Sequence, residues 1–134
     1  MELEAGVPED VQTLFAVARG TMLYGHYFYP LYTVGDEQIH GVADAATRHR
    51  YQQLGGPMAK GGKPPLFAAR IRWLIERGAI AEKKGQRSDA YRGLRNISSH
   101  PEMQMLHTPA DALRSLTLVA ASVNALFRPP VLGA

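Results

Sequence analysis

The chain has 134 residues, 46% of them hydrophobic, and a formal net charge of +3. This is the size of one domain with a core of its own, and the absence of cysteine excludes disulfide staples, thiol nucleophiles and zinc–thiolate sites. The acidic start MELEAGVPED has neither a basic nor an apolar leader segment, and no stretch nears the roughly 18 apolar residues of a membrane span, so a cytoplasmic protein is expected.

In chain order, the first predicted element is a helix over residues 8–25, where Val11, Leu14, Phe15, Ala18 and Met22 recur at helical spacing and Pro8, Glu9 and Asp10 suit the first turn. Tyr24, Tyr27, Phe28, Tyr29 and Tyr32 follow around Gly25 and Pro30, which end or bend that helix; most of these rings are expected in a core or an interface. Asp36 is the expected cap of a second helix from about 37 to 54, with Ile39, Val42, Ala43 and Ala46 on its apolar side. The Gly/Pro-rich run 55–65 reads as a flexible loop inside a single domain spanning 1–134.

A third helix is predicted over 66–77, with Phe67, Ile71, Leu74 and Ile75 inward, Arg70, Arg72 and Arg77 outward, and Gly78 as its left-handed stop. A fourth is predicted over 88–99, capped by Ser88 and closed by Pro101. The fifth starts at Thr108-Pro109 with Asp111 in its first turn and runs to about Phe127. Leu113, Leu116, Thr117, Ala120, Asn124 and Phe127 form one of its faces, yet Leu118, Val119, Ala121, Val123 and Leu126 make the others apolar too. Such a helix is expected at the centre of a fold or under a partner. No strand-like alternation stands out, so the expected fold is all-α, a compact bundle of about five helices.

Charge is segregated along this chain. Residues 1–44 hold seven acids against Arg19 alone, whereas residues 48–95 hold twelve Lys and Arg against Glu76, Glu82 and Asp89. A basic block of this kind fits a phosphate-binding surface, an ordinary solvated face, or a region neutralised by the chain's own acidic third. Asp36, His40 and Asp44 share a helix face, but Glu37-x-x-His40 lacks the second such pair that a carboxylate-bridged metal site needs, so no metal or other cofactor is expected. Gly61-Gly62-Lys63-Pro64 is not a Walker loop, because proline stands where Ser or Thr is required.

Arg92, Asn96 and Ser99 fall near one line of the predicted fourth helix with Arg95 beside them, and His100 follows Asn96 by four. A guanidinium there can hold phosphoryl oxygens, and an imidazole titrates near neutrality. The segment Arg95-Asn96-Ile97-Ser98-Ser99-His100 resembles the signature of the HEPN superfamily of small α-helical domains, an Arg, a polar residue and a His after four to six intervening positions. Arg19 and His26 fit the bare spacing as well, but His26 lies among aromatic residues, where packing is the expectation.

The resemblance implies a HEPN-like fold and a metal-independent endoribonuclease of toxin or defence type. Its site would be shared across a homodimer, with Arg95, Asn96 and His100 catalytic. Arg92, Ser99, Arg87, Lys83 and Lys84 are then the candidate RNA-phosphate contacts, and RNA and an antitoxin or nucleotidyltransferase the implied partners. The alternative is a HEPN-like module that cuts nothing and binds RNA, a nucleotide or a protein.

Overall fold

A computed structural model describes residues 2–28, 30–58, 61–63, 65–80, 82–83, 86–87 and 109–128. Among these the fold is α-helical: α1 (Glu9–Tyr24), α2 (Leu31–Gln53), α3 (Phe67–Glu76) and α4 (Pro109–Phe127), with a two-residue ladder, β1 (Glu82–Lys83) and β2 (Gln86–Arg87), between α3 and α4. The ladder is antiparallel, Glu82 opposite Arg87 and Lys83 opposite Gln86. It was not foreseen, because two residues per strand are too few to show an alternation. The predicted helix over 88–99 lies outside the described residues, as do Thr108 and Pro101.

α1 and α2 form an antiparallel hairpin, and α2 lies at the centre, packed against α1, α3 and α4. Val11, Phe15, Ala18 and Met22 of α1 meet Ile39, Val42, Ala43 and Ala46 of α2, all buried. Leu116, Val119, Val123 and Leu126 of α4 close this core from another side. Each Val, Leu, Ile, Phe and Met among them contributes about 1.5–3 kcal/mol by leaving water, and each alanine less, so these stripes outweigh the helices' modest propensities.

Several inward expectations are corrected. Leu14 and Leu113 are 42% and 58% exposed, and Ala121 of α4 is exposed too, so α4 buries one stripe and not its whole circumference. Of the aromatic run, expected in a core or an interface, Tyr32 joins the core, whereas Tyr24, Tyr27 and Phe28 lie on the surface of the single chain, where an interface would find them. Asp36 does not cap α2, which begins five residues earlier behind Pro30. Proline at a helix start gives up no hydrogen bond, because that N–H has no intrahelical acceptor, and its φ of −59° is already helical.

Arg70 is the largest correction. It points inward, 3% exposed, and donates through Nε to Thr47 Oγ1 (3.3 Å), through Nη1 to the Pro65 carbonyl (2.6 Å) and through Nη2 to Asp44 Oδ1. Arg48 holds the other Asp44 oxygen at 2.8 Å. The end of the Gly/Pro-rich loop, α2 and α3 are thereby joined through one guanidinium. Nearby, the Tyr51 and Trp73 rings meet edge to face, centroids 4.8 Å apart.

The open end of the hairpin is tied by His49 Nε2 and Asp10 Oδ2, 2.6 Å apart. The His49 hydrogen bond holds the Asp10 carboxyl below its ordinary value, against a smaller opposing effect of burial. A carboxyl with a lowered folded pKa stabilises the fold above the unfolded value, near 4, and loses that contribution as pH falls through the lowered one. Glu4, lowered by its hydrogen bond with Arg128, acts in the same sense. The denaturant midpoint of Asp10→Asn is therefore expected below the parent's at neutral pH, the two converging in acid. A gap that persists undiminished well below the carboxylate range would show that charge is not its origin.

The segment before α1 is clipped to the end of α4. Asn124 accepts the Glu4 N–H at Oδ1 (2.7 Å) and donates through Nδ2 to the Glu2 carbonyl (3.1 Å), while Arg128 pairs with Glu4 at 2.7 Å. Val7, buried, anchors the same segment. Asn124→Ala removes two hydrogen bonds from a partly exposed site and is expected to cost about 1 kcal/mol, read as a lower urea midpoint with unchanged slope.

Candidate functional site

Arg92, Arg95, Asn96, Ser99 and His100 lie outside the described residues, as does Lys84. What is described is how the chain approaches them. α3 stops in a Schellman motif: Gly78 takes φ +79°, its N–H bonds to the Ile75 carbonyl (3.0 Å), and the Ala79 N–H bonds to the Leu74 carbonyl (3.0 Å). Gly78 is thus the left-handed stop that the sequence predicts. Ile80, fully buried, then pins the chain to the core two residues before the ladder that carries Lys83 and Arg87 on its two strands.

The basic third is smaller on the surface than residue counting implies. Arg70 is consumed inside the fold and Arg48 by Asp44, so one acid of the first third neutralises two cations of the second. Arg72 remains exposed, and the exposed Arg77 lies over the Trp73 ring, 5.0 Å from its centroid. Asp44 in turn is occupied by these two arginines, and among the described residues no group of three His, Asp or Glu gathers as a metal would require.

A cavity of about 870 Å³ opens where the end of α1 and the start of α4 diverge. Arg19, Met22, Leu23 and Tyr24 of α1 form one wall, and Ala112, Leu113 and Leu116 of α4 the other. His26 and Tyr27 stand on the turn from α1 to α2, and Tyr32 of α2 forms part of the floor. The Tyr32 ring fits there because position 25 is glycine: a Cβ on Gly25 would lie 2.6 Å from it. His26 is exposed and meets Tyr27 edge to face, so the expectation that it packs away is not met, and Arg19 and His26 share one cavity.

Sequence reading missed this cavity because its two sides, residues 19–32 and 109–116, lie far apart in the chain. Its only local trace is the density of rings after Met22. A smaller hollow of about 360 Å³ adjoins it, sharing Arg19 and Leu23 and reaching Glu2. Among the described residues no helix is long and apolar enough to cross a membrane. Compared with known proteins, the chain matches no protein-family model, no curated protein and no solved structure.

Proposed function

We propose that this chain is a cytoplasmic, metal-independent endoribonuclease of the HEPN type, acting as a homodimer in a toxin or defence role. The observation that carries the reading is Arg95, at the end of the basic third of an all-α chain, followed directly by Asn96 and then by His100. One His100 takes the proton of an RNA 2′-hydroxyl, whose oxygen attacks the adjacent phosphorus in line. The bond to the 5′ oxygen breaks, and the second copy of His100 protonates that leaving group. Arg95 offsets the charge growing on the phosphoryl oxygens, and Asn96 orients the imidazole. Arg92, Ser99, Lys83, Lys84 and Arg87 hold neighbouring phosphates, and an antitoxin or nucleotidyltransferase partner fits the same setting.

The deciding experiment incubates purified protein with single-stranded RNA and with DNA of the same sequence, both in chelator. RNA fragments ending in a 2′,3′-cyclic phosphate and a 5′-hydroxyl, with DNA intact, are expected. Metal-dependent cutting, or equal cutting of DNA, would reject the mechanism. A second reading, a HEPN-like module that binds without cutting, is favoured by the apolar cavity, which the chemistry at Arg95 and His100 does not require.

A further inference from the structure

The cavity between α1 and α4 has the makings of a ligand site independent of the Arg95–His100 motif. Its volume, about 870 Å³, falls in the range of about 300–1,000 Å³ in which small-molecule sites cluster. Leu23, Tyr24, Tyr27 and Leu113 are 65%, 66%, 83% and 58% exposed, and all four border it. They are four of the eleven large apolar side chains left exposed among the described residues. Apolar surface concentrated around a concavity is the pattern of a binding site, whereas singly scattered residues are ordinary surface.

The walls narrow the chemistry of the occupant. Met22, Ala112 and Leu116 are buried and apolar, so among the described residues the deep end is apolar apart from the Tyr32 hydroxyl. Tyr32 is a fixed ring, 3% exposed, while Tyr24, Tyr27 and His26 are ringed about the mouth. Aromatic faces and edges favour a flat conjugated body over a flexible chain of equal area, since ring pairs gain about 0.5–1.5 kcal/mol beyond burial. Among the described lining residues Arg19 is the one with a permanent charge, and none is a carboxylate. Arg19 also has an interaction of its own within the fold, with which a bound anion would share it. A planar cation set among apolar walls favours an anion, because charge attraction strengthens as water is excluded.

We infer that this cavity binds a planar aromatic organic anion, its ring system between Tyr32 and the rim rings and its acidic group toward Arg19. The test titrates the full chain with 1-anilinonaphthalene-8-sulfonate, an aromatic anion, and with the neutral N-phenyl-1-naphthylamine, following the fluorescence of each. The parent is expected to show one saturable site that prefers the anion by about tenfold or more, the discrimination one charge-assisted hydrogen bond supplies. Leu113→Trp fills the mouth from an exposed position and should weaken both probes about tenfold or more. Arg19→Gln should abolish the preference for the anion while the neutral probe binds as before. Val17→Ser, on an exposed part of α1 away from the cavity, should change neither probe more than about twofold.

Three outcomes would overturn the inference: no saturable binding by the parent, binding indifferent to Leu113→Trp, or equal affinity of the parent for both probes. Because Leu113 is exposed, a loss of binding in that variant with unchanged circular dichroism reads on the cavity and not on folding. None of these outcomes bears on RNA cleavage, so the two proposals fail separately.

Discussion

Asp44→Ala is expected to destabilise the fold by about 3–5 kcal/mol, because it strands a guanidinium that lies inside the protein. Arg70 is 3% exposed, and without Asp44 its charge would be met, among the described residues, by the Thr47 hydroxyl, the Pro65 carbonyl and the Phe67 ring, all neutral. The lower end of that range is the better guide, since Asp44 itself is 42% exposed and water can follow where it leaves. A fall in melting temperature of about 10 °C corresponds to it for a domain of this size. Arg70→Met removes the other partner and should cost less, about 1–2 kcal/mol. The apolar stem stays buried, and Asp44 keeps Arg48 at 2.8 Å and its access to water. The double variant should then recover most of what Asp44→Ala loses. If Arg70→Met costs as much as Asp44→Ala, the shape of the arginine and not its charge is what the site requires.

His100→Ala should lower the rate of RNA cleavage about 100-fold or more, the usual share of a general acid or base, with RNA affinity nearly unchanged. In a two-fold dimer the substitution removes both proton carriers at once, so the loss belongs in turnover and not in binding. Arg95→Ala should weaken both, since a guanidinium holds the phosphate before the reaction as well as during it. Single-turnover measurements with saturating RNA separate the two effects. A His100→Ala protein that cleaves as fast as the parent would place any activity elsewhere and return the chain to the non-catalytic reading.

The helices were legible in the sequence because burial repeats every three to four residues, and Ile39, Val42, Ala43 and Ala46 all proved buried. Arg70 was not, because its burial is decided by Asp44 and Thr47, 26 and 23 residues away, and a pattern confined to one helix does not contain them. The start of α2 was hidden for a different reason. Proline reads as a breaker from inside a segment and as an initiator from its edge, and Pro30 is at the edge. The candidate RNA site was legible as residue types alone, Arg95, Asn96 and His100 at a recognisable spacing. Of the cavity only the ring-dense run after Met22 was legible, for its walls join residue 19 to residue 116.

The clip at Asn124 has a consequence for the order in which the chain folds. Glu2 and Glu4 have no partner in it until residue 124 has been synthesised, and closing so long a loop carries a large entropic cost that only late, cooperative contacts repay. The α1–α2 hairpin, by contrast, is built from contacts near in sequence and can form while the rest is still being made. Contacts absent from the folding transition state act on the rate of leaving the native state and not on the rate of reaching it. Asn124→Ala is therefore expected to raise the unfolding arm of a chevron and leave the refolding arm where it was, which makes the clip a latch on the finished fold and not a part of its nucleus.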